Sequence, residues 1–134
     1  MQWTDGPNAG FTEGEPWFYV NDNYRSVNVA DQEGDPDSLL NFYRAAIALR
    51  KRLPVVREGK YREYDKRSSR RYVYSRETER QRLLVVCAFS ENEQSFRPPK
   101  GFDLSGAKLI LQSYPDAPAD TLRPYESRVY LWEK

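Results

Sequence analysis

The spacing of apolar residues changes at Pro54, and this change divides the chain into two parts. Between residues 35 and 53, apolar residues recur every three or four positions, which places them on one face of a helix. Asp35 is suited to the N-cap and Pro36 to the first helical position, while Pro54 disfavours helical geometry at the residue before it. We therefore predict an amphipathic α-helix over residues 35–53. Its apolar face consists of Leu39, Phe42, Tyr43, Ala46, Ile47, Leu49 and Leu53.

After Pro54 the apolar pattern takes a period of two, which is typical of strands that bury one face. The run 83–89 is apolar on both faces and fits a central strand. Residues 66–70 and 78–80 have the character of hairpin connections, and strands at such short spacing favour an antiparallel sandwich. The predicted strands are residues 55–57, 60–65, 71–76, 82–89, 94–97, 108–112 and 127–132.

Residues 1–34 have no regular period, because glycine and proline interrupt each short apolar run. The segment nevertheless contains too many aromatic residues for a disordered tail. We expect an ordered loop that lies on a larger scaffold, of the kind that often carries function. The predicted fold is therefore mainly β: a loop and one amphipathic α-helix in residues 1–54, then an antiparallel β-sandwich domain in residues 55–134.

The composition excludes several kinds of site. The 134 residues contain no histidine, which rules out Ser-His-Asp and Cys-His nucleophile systems and His-ligated metal sites within this chain. Cys87 is the single cysteine, so no internal disulfide can form, and we expect a cytoplasmic protein. No apolar run approaches the length of about 20 residues that a transmembrane helix requires. We predict neither a cofactor nor a metal.

The segment 62–82 interleaves arginines with tyrosines, a pattern that could indicate a nucleic-acid-binding face. The alternative is the solvated side of β-hairpins. Acidic residues are mixed into the same stretch and the formal net charge of the chain is only +1, so we favour the solvated hairpin.

Two carboxylate pairs could in principle hydrolyse a glycoside. Asp35 and Asp37 are explained by helix capping, and Glu91 with Glu93 by a turn. The three tryptophans could stack on sugar rings, although partial burial is the simpler interpretation for each of them. A free-standing module that binds carbohydrate or single-stranded nucleic acid therefore stays open as an alternative function.

Several motifs in the same order along the chain resemble the C-terminal part of α-glucosidases in the α-amylase family, glycoside hydrolase family 13. They are most similar to those of oligo-1,6-glucosidases and dextran glucosidases. The motifs are residues 1–3, 8–12, 14–17, 20–24, 35–40, 83–90 and 122–130. Two positions depart from the family pattern: Thr4 stands where aspartate is usual, and Asp22 stands where many members have proline.

The resemblance implies that residues 1–54 are the last loop and helix of a (β/α)₈ barrel and that the β-domain braces it. The barrel takes about 250 residues, so the family's catalytic carboxylates belong to polypeptide that this chain does not contain. We assign no catalytic residue, and we expect the isolated chain to be inactive. Gln2, Trp3 and Asn8 are only candidates for the rim of the active site. The expected partners are the rest of the barrel and the oligosaccharide substrate of the parent enzyme, meaning the longer α-glucosidase from which this part would come. We expect neither nucleic acid nor a membrane as a partner. The isolated chain is expected to form a homodimer through the helix face.

Overall fold

The computed structural model of the protein describes all 134 residues. It divides into two compact units, the N-terminal unit (Met1–Ile47) and the C-terminal unit (Ala48–Lys134). The helices are α1 (Val29–Gly34), α2 (Leu39–Arg52) and α3 (Pro54–Glu58), and short 3₁₀ turns occur at Pro7–Gly10, Asp22–Arg25 and Leu104–Gly106. The strands are β1 (Lys60–Tyr64), β2 (Arg71–Glu77), β3 (Gln81–Ala88), β4 (Gln94–Ser95), β5 (Lys108–Gln112), β6 (Thr121–Leu122) and β7 (Ser127–Glu133). The division between the units falls within α2, and the domain boundary between residues 54 and 55 remains a prediction.

The C-terminal unit is built on a five-stranded antiparallel sheet in the order β1-β2-β3-β7-β5. The doubly apolar strand β3 lies at its centre, as the sequence predicts, because both of its faces are buried. The remaining strands, β4 and β6, form a two-stranded sheet of their own. The mainly β, antiparallel fold class is therefore confirmed, although the second sheet is much smaller than the first.

Each face of the large sheet has its own hydrophobic core. On one face Val73, Leu84 and Val86 pack with Leu122 of the small sheet and with Phe96 beside it. On the other face Leu83, Val85 and Leu131 pack with residues from the end of α2 and from α3. Alternate residues of β3 thus enter different cores, which is the consequence of the two-residue period of a strand.

The strand predicted at residues 55–57 is wrong, because these residues form helix α3. Pro54 occupies the first turn of α3, where its fixed φ suits a helix and its missing N–H is not needed. A short apolar run after a proline does not distinguish helix from strand by its period alone. Gly59 then joins α3 to β1, where a Cβ would lie 2.5 Å from the Val55 carbonyl oxygen.

The predicted start of the long helix is also wrong by four residues. Helix α2 begins at Leu39, and the Ser38 carbonyl accepts its first hydrogen bond, from the Phe42 N–H at 2.9 Å. The Ser38 hydroxyl accepts a bond from the Asn41 N–H at 3.3 Å, which makes serine the cap. Asp35 instead follows the end of α1, a short helix within the segment predicted as loop.

Candidate functional site

The three candidate rim residues lie in one loop of the N-terminal unit. The backbone N–H groups of Trp3 and Thr4 both donate to the carbonyl of Ala9, at 2.9 and 3.2 Å. The carbonyls of Gln2 and Trp3 in turn accept from the first two residues of α1, each at 3.0 Å. The loop is therefore fixed at both ends by backbone hydrogen bonds, and the Trp3 side chain is left half exposed.

The turn at residues 8–10 of this loop is built from three successive residues with positive φ: Asn8 (54°), Ala9 (53°) and Gly10 (73°). Asparagine and glycine tolerate this region, whereas alanine is strained in it. Ala9 is fully buried, and the Asn8 amide donates to the carbonyls of Thr12 and Gly14 at 3.1 and 2.8 Å. Asn8 therefore shapes the loop, and strain of this kind is typical of functional loops.

Gln2 connects the loop to the next turn of the chain, because its side-chain amide donates to the Asn23 side-chain oxygen. The structure thus brings Gln2, Trp3 and Asn8 into one loop system. Within it, the side chains of Gln2 and Asn8 make hydrogen bonds.

A cleft that we call the aromatic cleft lies in residues 11–20 of the same unit. It has a volume of about 550 Å³ and is lined by Phe11, Thr12, Glu15, Pro16, Trp17, Phe18, Tyr19 and Val20. Trp17 is 90% exposed, and its ring meets that of Phe18 edge to face with centroids 4.6 Å apart. A hydrogen bond to the Asp22 carboxylate raises the pKa of Tyr19. The sequence interpretation did not single out this cleft, although three consecutive aromatics in a loop were the signal for it.

The two carboxylate pairs lie in connections between elements of regular structure. Asp35 accepts a hydrogen bond from the Asp37 N–H at 2.9 Å and lies in the turn between α1 and α2. Glu91 and Glu93 are exposed residues in the connection between β3 and β4. No group of three or more His, Cys, Asp or Glu side chains has the arrangement needed to hold a metal ion.

Several arginines of segment 62–82 make local contacts. Arg71 pairs with Asp65 at 3.0 Å, and Arg76 donates to the carbonyl of Val56 at 2.9 Å. The guanidinium of Arg82 lies 3.6 Å from the centre of the Phe102 ring. These contacts connect the three side chains to neighbouring parts of the C-terminal unit.

A fully buried ion pair occupies the C-terminal unit. The Arg128 guanidinium donates to both carboxylate oxygens of Glu126, at 2.7 and 2.8 Å, and to the carbonyls of Pro118 and Thr121. The Glu126 carboxylate also accepts from the Arg123 N–H at 2.8 Å. Burial opposes the charge of Arg128, but the bonds to Glu126 and Tyr130 outweigh it and raise the pKa of the guanidinium. Every charge is matched, so the pair organises the segment before β7 rather than offering reactive groups.

Comparison with known proteins relates the N-terminal loop and the three α-helices to a known family. Residues 1–59 match the model of the α-amylase catalytic domain. The whole chain is similar to enzymes of the α-amylase family. It is 42% identical to the probable oligo-1,6-glucosidase 2 of Bacillus subtilis and 42% identical to the oligo-1,6-glucosidase of Heyndrickxia coagulans, in each case over 100% of this chain and 24% of the relative.

Solved structures of the α-amylase family have the same fold. The crystal structure of Bacillus licheniformis trehalose-6-phosphate hydrolase matches with a TM-score of 0.90 and 34% identity, over 99% of this chain and 25% of that one. The resemblance drawn from the sequence motifs is thereby confirmed. The chain spans about a quarter of the length of these relatives. None of its helices is long and apolar enough to cross a membrane.

Proposed function

We propose that this chain is the non-catalytic C-terminal part of an α-glucosidase of the α-amylase family. The parent enzyme would hydrolyse α-glucosidic bonds of short oligosaccharides with retention, through a glycosyl-enzyme intermediate. In this proposal the loop of Gln2, Trp3 and Asn8 contributes to the active-site rim, and the five-stranded sheet braces the barrel. The single cysteine and the absence of a disulfide support a cytoplasmic location for the parent.

The apolar stripe on α2 is the observation that carries the proposal. Leu39, Tyr43 and Ile47 recur along one face of the helix, yet they are 67%, 61% and 51% exposed. A helix with such a stripe normally buries it against a core. Since these residues lie within the stretch that matches a catalytic domain, the remainder of that domain is the surface that would cover them.

The carboxyl groups of this chain support a non-catalytic role. A retaining glycosidase needs two carboxyl groups about 5–5.5 Å apart, one of them with a raised pKa. The carboxyl groups whose pKa values shift here, Glu77, Asp103 and Asp116, all shift downward because they accept hydrogen bonds. None of them is suited to act as a general acid at neutral pH.

An assay of the 134-residue chain with p-nitrophenyl α-glucoside and isomaltose, at high protein concentration, tests the proposal. We expect no turnover above that of a heat-treated sample. Turnover that is reproduced with the chain from two independent purifications would overturn the proposal. It would support a catalytic site within this chain instead.

The genomic DNA upstream of the Met1 codon provides the second test. We expect an open reading frame that continues upstream and encodes an Asn-His-Asp motif. The family resemblance implies that this motif holds the aspartate that stabilises the transition state, and a chain without histidine lacks it. A gene that begins at Met1, with no barrel before it, would favour the free-standing binding module instead.

The exposed stripe on α2 also predicts how the isolated chain behaves. In the absence of the rest of the catalytic domain, we propose that a second copy covers Leu39, Tyr43 and Ile47. Sedimentation equilibrium should show a dimer, and Ile47→Lys should shift it to the monomer. A native chain that stays monomeric at high concentration would contradict the homodimer.

A further inference from the structure

Three tyrosines, which we call the tyrosine cluster, lie together on the two strands at one edge of the large sheet. Tyr61 belongs to the edge strand β1, and Tyr72 and Tyr74 belong to β2. The Tyr74 ring packs against both others, with centroid distances of 5.6 Å to Tyr61 and 5.3 Å to Tyr72. The hydroxyls of Tyr61 and Tyr72 are 2.9 Å apart, and no other two of the ten tyrosines have hydroxyls in hydrogen-bond contact. Two phenol tips therefore meet beside a shared aromatic neighbour.

The register of the two strands fixes this contact. Tyr61 lies opposite Arg76 in the pairing of β1 with β2. Tyr74 and Tyr72 follow on β2 at two-residue steps from Arg76, so all three tyrosines project from the same face of the sheet. A slip of one residue would move Tyr61 to the other face. The contact between the hydroxyls is thus a property of the folded sheet.

The Tyr61 hydroxyl has a proton acceptor beside it. It donates to the Glu63 carboxylate at 3.2 Å, and because each phenol has one proton to donate, the Tyr72 hydroxyl donates to Tyr61 in turn. A phenol that loses an electron becomes strongly acidic, and a carboxylate within hydrogen-bond distance can take its proton. Tyr61 and Tyr72 are 44% and 37% exposed, so an oxidant in solution can reach both rings.

We propose that Tyr61 and Tyr72 form an oxidative cross-linking site, at which a haem peroxidase with hydrogen peroxide joins the two rings as dityrosine. Each phenol loses one electron and one proton and becomes a phenoxyl radical. The two radicals couple through the ring carbons beside the hydroxyls. The hydrogens on those two carbons then move to the oxygens, which restores both aromatic rings. In the overall reaction the protein loses two hydrogen atoms, and one hydrogen peroxide is reduced to two water molecules.

The cross-link fastens an edge of the sheet. Strand β1 pairs with β2 alone, so it has hydrogen-bonded support on one side only. Strands with such limited support are among the parts of a fold that open locally. A carbon–carbon bond between Tyr61 and Tyr72 keeps β1 beside β2 during this opening.

Oxidation of the 134-residue chain at low concentration, with a haem peroxidase and hydrogen peroxide, tests the proposal. We expect dityrosine fluorescence in a chain that runs as a monomer on a reducing, denaturing gel. Its mass should be lower by two hydrogen atoms. Peptide mapping by mass spectrometry should place the new bond between Tyr61 and Tyr72.

Phenylalanine variants identify the two partners, because phenylalanine cannot form a phenoxyl radical. Tyr61→Phe and Tyr72→Phe should each lose the fluorescence. Tyr74→Phe is the matched control inside the cluster, and Tyr43→Phe is the control for an exposed tyrosine outside it. Both controls should keep the signal, and circular dichroism checks that every variant is folded. Covalent dimers as the only product, a bond mapped to other tyrosines, an undiminished signal in Tyr61→Phe, or loss of the signal in Tyr74→Phe would each overturn the assignment.

Two further measurements test the proton acceptor and the fastening of β1. Glu63→Gln removes the carboxylate and should slow the formation of dityrosine, and an unchanged rate would overturn the role of Glu63. Amide exchange in β1 should slow after cross-linking, whereas exchange in β5, the opposite edge strand, should not change. Unchanged exchange in β1 would overturn the fastening. The cross-link involves the C-terminal unit alone, so its outcome is independent of the turnover assay.

Discussion

The two units of the chain differ in how they are held together. The C-terminal unit contains thirteen of the fourteen buried hydrophobic residues, whereas the N-terminal unit contains only Ala9. Conversely, ten of the fifteen large hydrophobic residues that are exposed belong to the N-terminal unit. The C-terminal unit thus has a core of its own, and the N-terminal unit presents apolar surface outward.

Polar contacts take the place of a core in the N-terminal unit. The Asn41 amide donates to the carbonyls of Gln32 and Asp35 at 2.9 and 2.7 Å, and the Ser38 hydroxyl donates to Gln32 at 2.6 Å. Such bonds fix the geometry of loops, but each contributes only about 0.5–1.5 kcal/mol net. If the proposed function is right, the N-terminal unit is well defined in shape while its stability depends on apolar surfaces outside it.

The largest expected effect comes from the buried ion pair of the C-terminal unit. Arg128→Met leaves the buried Glu126 carboxylate without its partner, and we expect a loss of about 3–5 kcal/mol in the free energy of unfolding. Urea denaturation followed by circular dichroism measures it. The control is Arg44→Met, which removes an ion pair with Glu33. The side chains of Arg44 and Glu33 are both 54% exposed. That loss should be about 0–1 kcal/mol, and equal losses in the two variants would contradict the difference between the units.

A pair of leucine variants compares burial directly. Leu84 is fully buried in the centre of the sheet, whereas Leu39 on α2 is 67% exposed. Leu84→Ala should lower the free energy of unfolding by about 2–5 kcal/mol. Leu39→Ala should change it by no more than about 0.5 kcal/mol, measured at low concentration where the chain is monomeric. A similar loss from Leu39→Ala would mean that the N-terminal unit has a core after all.

The cap of α1 tests the polar framework of the N-terminal unit. The fully buried Asn28 accepts from the Asp31 N–H at 2.9 Å and donates to the Tyr24 carbonyl at 3.0 Å. Asn28→Ala should lower local stability by about 0.5–2 kcal/mol, seen as faster amide exchange in α1. The amides of β3 should keep their protection, because that strand belongs to the other core. Asn21→Ala is the exposed control, and exchange that accelerates equally in both variants would refute the role of Asn28.

The smallest expected effect is the acid dependence of the C-terminal unit. The hydrogen bond from Lys134 holds the pKa of Glu77 below its ordinary value of 4.5. A carboxyl group with a lowered pKa stabilises the fold above its unfolded value, and this contribution disappears as the pH falls through the lower folded value. Lys134→Ala should therefore lower the melting temperature slightly at neutral pH. The decrease in melting temperature between neutral and acidic pH should be smaller in this variant than in the unmodified chain. Lys100→Ala is the control, and an acid-induced drop that is unchanged in Lys134→Ala would refute the contribution.

The elements with the strongest patterns were predictable from their residues. Strand β5 has the predicted bounds Lys108–Gln112, and β3 is central as its apolar run indicates. The two-residue strand β6 was not predicted, because so short a segment has no periodicity to detect. Residues 55–57 were predicted as a strand for a related reason, since three residues after a proline fit either period. The three consecutive aromatics at 17–19 were visible in the sequence, but the concave shape of the aromatic cleft was not, because it depends on the path of the backbone through Asn8 and Gly14.

The sequence by itself determined the resemblance to the α-amylase family, the antiparallel β character of the second half and the lack of histidine, because local spacing and side-chain type are properties of the chain alone. Tertiary structure alone decided which apolar residues are covered. Leu84 and Leu39 are the same residue type in equally regular patterns, yet one is buried by strands far away in sequence and the other is exposed. Burial depends on what else folds against a surface, whereas a periodic pattern indicates only that an apolar surface is present.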